Sequence, residues 1–164
     1  MRINKHIAAF AAAASCLLMA EGALGQVPQY GTNVTLDQAL KAVAGALAEA
    51  RKINVPMAVT VVDNAGQLVA FERMDNTQTG SIGVSQDKAV SAAMFRRPTK
   101  AFQDAVAGGG AGLRILTLRG ANAVEGGLPI TVDGKIIGGI GVSGGSAEQD
   151  GGCAKAGADA LAAK

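Results

Sequence analysis

GLPITVDGKIIGGIGVSGGSAEQ, residues 127–149, decides the fold of this chain. Inside it, Gly139 to Gly144 (GIGVSG) is a literal match to the dinucleotide fingerprint G-x-G-x-x-G. That fingerprint needs a strand, a glycine turn, a helix and a second parallel strand. Here the residues after Gly144 read as one helix with no strand to follow. Asp133-Gly134 is instead a favoured two-residue hairpin turn, because both residues tolerate positive φ. Residues 127–132 and 135–143 therefore read as antiparallel strands, with Gly139 and Gly141 inside the second. The match is accidental and no NAD is expected. Glycine within a strand marks a bulge or a close approach by backbone or ligand. Gly138, Gly139 and Gly141 would bare part of one sheet face for a helix, the first expectation, or for a flat ligand. Ser146 then opens a helix, with Gln149 completing a capping box. Gly144-Gly145 ahead of it form a small nest of amides able to hold an anion.

Outward from this hairpin, MAVTVVD (57–63) and QLVAFERM (67–74) flank Asn64-Ala65-Gly66 as a second one. T-L-D-Q at 35–38 is another capping box. Leu36, Leu40, Val43, Leu47 and Ala50 follow at helical spacing toward Ile53, with Asn54 and Pro56 as stops. Residues 80–95 return to helical spacing, with Ile82, Ala89, Val90 and Ala93 facing inward. Pro98 breaks that helix, and Thr99 caps a short one to Val106. Gly108 to Gly112 reads as a flexible loop, and residues 113–118 fit strand or helix. Hairpin-paired strands are antiparallel, so the fold class is α+β and not a doubly wound parallel sheet.

The first 25 residues carry the pattern of a secretory signal peptide: Arg2 and Lys5, an apolar run from Ile7 to Ala20, then Ala23-Leu24-Gly25. Cleavage before Gln26 is expected, with a retained anchor as the alternative. Residues 26–34 are expected to form a polar, mobile lead-in and 35–164 one domain, secreted and periplasmic. His6, the one histidine, and Cys16 leave with the leader. The remaining chain has no imidazole and a single thiol, Cys153. It cannot build a zinc site from His or paired Cys, nor a Ser-His-Asp or Cys-His catalytic group. Charge is nearly balanced, at 15 Lys+Arg against 13 Asp+Glu. The densest basic cluster is Arg96-Arg97 with Lys100, and Tyr30, Phe71, Phe95 and Phe102 are the aromatics past the leader. Neither a phosphate-tracking stripe nor a stacking platform is present, so no nucleic-acid partner is expected.

Three ordered blocks carry a resemblance: VTVVDNAGQLVAFERMD, DKAVSAAMFRRPT and EGGLPITVDGKIIGGIGVSGGSAEQDGGCAKAGADAL. Together they resemble the GlcG/HbpS-like family, which includes the C-terminal domain of PduO-type proteins and is often labelled haem-binding or haem-degrading. The resemblance spans about Thr35 to Leu161. It implies an antiparallel sheet of about five strands flanked by helices, described as profilin-like. It further implies homo-oligomers and, for secreted members, haem binding with reports to a membrane sensor.

Candidate site residues follow from chemistry and from these blocks. Arg73 could grip a carboxylate through its planar fork or, with Asp75, merely close a turn. Met74 could face haem iron or fill core. Lys88 could act as a base or Schiff-base former if desolvated, although an exposed, salt-bridged lysine is the expected outcome. Thr99 could cap its helix or present a hydroxyl. Glu125, beside Gly126 and Gly127, is the best general-base candidate, against plain solvation. For Asp150 the helix dipole is sufficient explanation. Cys153 is expected to be buried and inert, against a thiol activated by the helix start or paired between subunits. Without histidine, the iron-ligand options are Met74, Met57, Met94, Tyr30, Cys153, Lys88 and Thr99. Three functions follow: an oligomeric binder of a small ligand with haem first, an enzyme using Lys88, Asp75 and Glu125 on an oxygenated or carbonyl compound, and a structural or signalling oligomer.

Overall fold

The computed structural model describes residues 27–162; the leader and its cleavage site lie outside them. Helix α1 (Leu36–Lys52) starts at the expected Thr35, whose Oγ1 accepts from Gln38 N while Gln38 Oε1 accepts from Thr35 N. The first hairpin is β1 (Ala58–Asp63) and β2 (Leu68–Arg73). Helix α2 (Ser81–Phe95) and α3 (Thr99–Ala107) follow. A 3-10 helix (Gly110–Thr117) then leads to β3 (Gly127–Val132), β4 (Lys135–Ser143) and α4 (Ala147–Ala162).

The α+β reading holds, and the four strands run in the order β2-β1-β4-β3, every pair antiparallel. The expectation of about five is one too many among the described residues. In place of a fifth strand, Tyr30 makes a single parallel bridge to Ile136. There Gly31 N donates to Ile136 O and Ile136 N to Gln29 O. The lead-in is thus a strap on the sheet rather than a mobile arm over residues 29–31.

Strand alternation splits the core in two. Val59, Val61, Ile140 and Val142 face α1 and α4, together with Val43, Leu47 and Cys153. Thr60, Val62, Gly139 and Gly141 face α2, with Val62 packed on Ala89 and Ala93. Gly139 and Gly141 serve the helix expectation, whereas Gly138 alternates to the other face and lies against Val34 and the Val62 carbonyl. A methyl at Gly139 would overlap the Ala89 carbonyl oxygen, and one at Gly141 that of Ser85. Helix α2 therefore lies almost backbone to backbone on the centre of the sheet.

Three local expectations are corrected. Leu36 and Leu40 are exposed: α1 buries Val43, Leu47 and Ala50 as expected, but beside them Ala39, Ala42 and Ala46, whose small side chains let α4 approach. Thr99 is the first residue of α3 and not its cap. The run Gly108–Gly112 is not wholly loop, since the 3-10 helix starts at Gly110 and resolves residues 113–117 as helical.

Candidate functional site

Lys88 is not exposed. Its side chain is 1% accessible, and Nζ donates to Asp150 Oδ2 at 2.7 Å and to Val142 O at 3.1 Å. Asp150, 4% accessible, is also not merely a dipole partner. Its Oδ1 accepts from Gly145 N at 2.9 Å, and the Gly144 amide bonds it as well. The amide nest expected to hold an anion is occupied by the protein's own carboxylate. Burial pushes the Asp150 carboxyl above its ordinary value, while the Lys88 ammonium and the two amides pull it back. The pair ties mid-α2 to the first turn of α4 across the end of β4.

Gly126 roofs this pair. At φ +125 its backbone passes so close that a methyl there would stand 2.7 Å from Lys88 Nζ and 2.8 Å from Asp150 Cβ. Gly127 N donates to Thr99 Oγ1 at 2.9 Å, so the buried Thr99 hydroxyl anchors the start of β3 and not a solvent-side ligand. Glu125 N donates to Gln103 Oε1, and its carboxylate lies 3.9 Å from Lys100 Nζ. Lys88, Thr99, Glu125, Gly126 and Gly127 are therefore brought together, but only Glu125, Gly126 and Gly127 line open space.

That open space is a groove of two adjoining cavities. One, about 360 Å³, lies among Pro98, Lys100, Glu125, Gly126, Gly127, Leu128, Gly151 and Lys155. The other, about 470 Å³, continues past Leu128, Pro129 and Thr131 to Pro28, Arg96, Arg97, Ala158 and Asp159. They share Pro98, Leu128 and Lys155. Proline, leucine, alanine and glycine make the walls, and the rim is charged, with Arg96, Arg97, Lys100 and Lys155 against Glu125 and Asp159. Arg96 sits at φ +54 where α2 ends, its guanidinium 5.3 Å from the Tyr30 ring centre. Tyr30 Oη in turn donates to Ala93 O and Met94 O, fastening the strap to α2. Arg97 lies 5.6 Å from the Phe102 ring centre. Among the described residues neither arginine is in an ion pair, whereas Lys100 pairs with Asp104 and Lys155 with Asp159.

Arg73, Met74 and Asp75 are elsewhere. With Arg51 they line a separate polar cavity of about 370 Å³ at the end of β2. β2 and β3 are opposite edges of the sheet, roughly 14 Å apart at the usual strand spacing. Lys88, Asp75 and Glu125 consequently share no cavity. The sequence's other iron-ligand candidates are also turned away from the groove. Met57 is fully buried, Met94 is exposed beside Gly66, and the Tyr30 hydroxyl is committed to backbone. Among the described residues no group of three His, Cys, Asp or Glu could hold a metal ion.

Cys153 is buried, as expected, and desolvation with the nearby Glu49 and Asp150 carboxylates pushes its thiol up to about 11. Native protein at pH 8 will react with a disulfide reagent at least about a hundredfold more slowly than urea-unfolded chain, followed by absorbance. The thiol's contribution to stability is full below its unfolded value near 9 and is lost as pH rises toward about 11. Rapid native labelling at pH 8 would contradict this burial.

The sequence assigns Asp150 only a helix-dipole role and passes over Lys155, and it marks Arg96, Arg97 and Lys100 only as a charge cluster. An i, i+4 pairing of Lys155 with Asp159 was the one local sign available.

The chain is thus an α+β domain: a four-stranded antiparallel sheet with helices on both faces, a buried Lys–Asp pair and, beside it, a groove with apolar walls and a charged rim. The chain belongs to the family described as "Haem degrading protein HbpS-like", whose profile matches residues 34–159. Protein GlcG of Escherichia coli K12 is 39% identical over 114 residues, 68% of this chain and 84% of its own. A double mutant of Streptomyces reticuli HbpS superposes with a TM-score of 0.73 at 30% identity, covering 85% of this chain and 94% of that one. PduOC, solved as a haem complex, gives a TM-score of 0.71 at 28% identity, covering 79% of this chain and 95% of that one.

Proposed function

We propose that this protein binds haem, or a closely related tetrapyrrole, in the groove between β3, α4 and the α2–α3 connection. The observation that carries the reading is the groove itself: apolar walls of Leu128, Pro98 and Pro129 with two guanidiniums, Arg96 and Arg97, at one end that pair with no carboxylate among the described residues. A flat ring with two carboxylates buries its faces on such walls and pairs its acids with the planar forks. The solved PduOC–haem complex and the family description support the same ligand class. When bound, haem would supply redox chemistry at its iron; the chain's own residues bind and orient the ring. The same reading has the protein secreted to the periplasm by residues 1–25 and assembled with copies of itself, from which a haem signal could pass to a membrane sensor.

Hemin titration of protein starting at Gln26, followed in the Soret region, tests this. Saturable binding is expected, weakened about tenfold or more in Arg96→Ala/Arg97→Ala, since each charge-assisted hydrogen bond contributes about 1.5–3 kcal/mol. Arg73→Ala is expected to bind like the wild type. Weakening by Arg73→Ala with no effect of the double variant would move the ligand to the cavity at the end of β2. Absence of a saturable shift would end the haem reading.

A further inference from the structure

We propose that the groove recognises the ring and the carboxylates of a tetrapyrrole and not its metal, so that metal-free porphyrin is as good a ligand as hemin. This rests on the function proposed above and deepens it, by naming the ligand class as a planar dicarboxylic macrocycle.

The donor set of the groove carries the inference. Among the described residues no imidazole, thiol, thioether or phenol lines either cavity. Iron held by a protein ordinarily takes one of these groups, and each sets the metal's affinity and spin state. The side-chain oxygen donors on the lining are a single hydroxyl, Thr131, and two carboxylates that stand at lysines, Glu125 3.9 Å from Lys100 Nζ and Asp159 paired with Lys155. The nitrogen donors are unsuited to iron. Arg96 and Arg97 present guanidiniums, cations with no lone pair to give. Lys155 is in an ion pair with Asp159, and Lys100 is 2.8 Å from Asp104. Its hydrogen bond to that carboxylate raises the Lys100 amine above the ordinary lysine value, which holds it as an ammonium. Lys88, the remaining amine nearby, is spent on Asp150 behind the Gly126 backbone. What the groove offers instead is insensitive to the metal: aliphatic walls for the two ring faces and guanidiniums for two acids. Both arginines are already oriented by the aromatic rings of Tyr30 and Phe102, so little ordering remains to be done on binding.

Three ligands distinguish the terms: hemin, metal-free protoporphyrin IX and its dimethyl ester, each titrated into the full chain from Gln26 by absorbance or by porphyrin fluorescence. Hemin and the free porphyrin should bind within a few-fold of one another. The dimethyl ester should bind about tenfold or more weakly to the wild type, and this gap should shrink in Arg96→Ala/Arg97→Ala. Imidazole added to the hemin complex should shift its spectrum without releasing the ring, because no protein group competes strongly for the iron. Free porphyrin binding more than tenfold weaker than hemin, or a hemin spectrum indifferent to imidazole, would overturn the inference while leaving haem binding in place. Failure of both hemin and free porphyrin to saturate would overturn the function itself.

Discussion

Lys88→Met will lower the unfolding free energy by about 3–5 kcal/mol in a urea titration, the usual consequence of leaving one partner of a buried ion pair uncompensated. The stranded group is Asp150, 4% accessible and bonded to the amides of Gly144 and Gly145. Those amides keep it from being wholly unsatisfied, which sets the lower end of the range. Lys88→Met/Asp150→Asn should recover to within about 1–2 kcal/mol of wild type, because an asparagine oxygen can still accept from Gly145 and no charge is buried. The loss also has a pH signature. Burial already holds the Asp150 carboxyl above its ordinary value, and removing the ammonium raises it further. A carboxyl raised on folding binds its proton more tightly in the native state. Its favourable contribution is complete below the unfolded value, about 3.9, and is lost as pH rises through the folded one. The deficit of Lys88→Met should therefore be larger at pH 8 than at pH 5. An unchanged urea midpoint at both pH values would show that the pair does not bear on folding. Hemin affinity should fall in parallel, since Gly126 rests on Lys88 Nζ and forms part of the groove.

The contrast between Lys88 and Asp133-Gly134 shows what a single sequence can and cannot yield. The turn is local chemistry: Asp133 at φ +49 and Gly134 at φ +74 are the positive dihedrals that a two-residue hairpin demands. The Thr35 and Ser146 capping boxes are local in the same sense, and both form. Lys88 meets a partner 62 residues away, which no spacing rule connects to it. Leu36 and Leu40 of α1 misled because periodicity finds a face without fixing where its centre lies, and Val43, Leu47 and Ala50 of the same stripe do pack. Close approach to α4 favours the alanines, and Leu36 and Leu40 fall outside. The 3-10 helix after the glycine run was hidden for a related reason: its one buried large residue, Ile115, gives no stripe, and Leu113 and Leu116 are exposed. Of the site, the Glu125–Gly127 wall was legible as irregular backbone before a strand. The rest of the groove comes from separate elements, β3, α4 and the α2–α3 connection, that only the completed sheet brings side by side.

Gly141→Ala and Gly83→Ala, the same chemical change in one protein, should act with opposite signs. Gly141 lies mid-β4, facing α2, where the added methyl would overlap the Ser85 carbonyl and stand 2.5 Å from Ala89 N. Both obstacles are backbone of a helix, so neither can turn aside as a side-chain tip would. Relief requires α2 to lift from the sheet, breaking the contact of Thr60 Oγ1 with Ser85 Oγ at 2.9 Å and pulling Lys88 from Asp150. Overpacking usually costs about 1–3 kcal/mol; with a rigid backbone on one side and a buried ion pair on the other, the upper end or beyond is expected here. Gly83 is on the exposed side of the same helix with nothing near its would-be methyl. There alanine should stabilise by about 0.5–1 kcal/mol, since it removes backbone freedom from the unfolded chain and improves helix propensity. Urea midpoints of the two variants against wild type measure the difference. If Gly141→Ala folds as stably as the wild type, α2 does not rest on the bare centre of β4, and the glycines of residues 139–141 need another explanation, with a flat ligand against that face the first to examine.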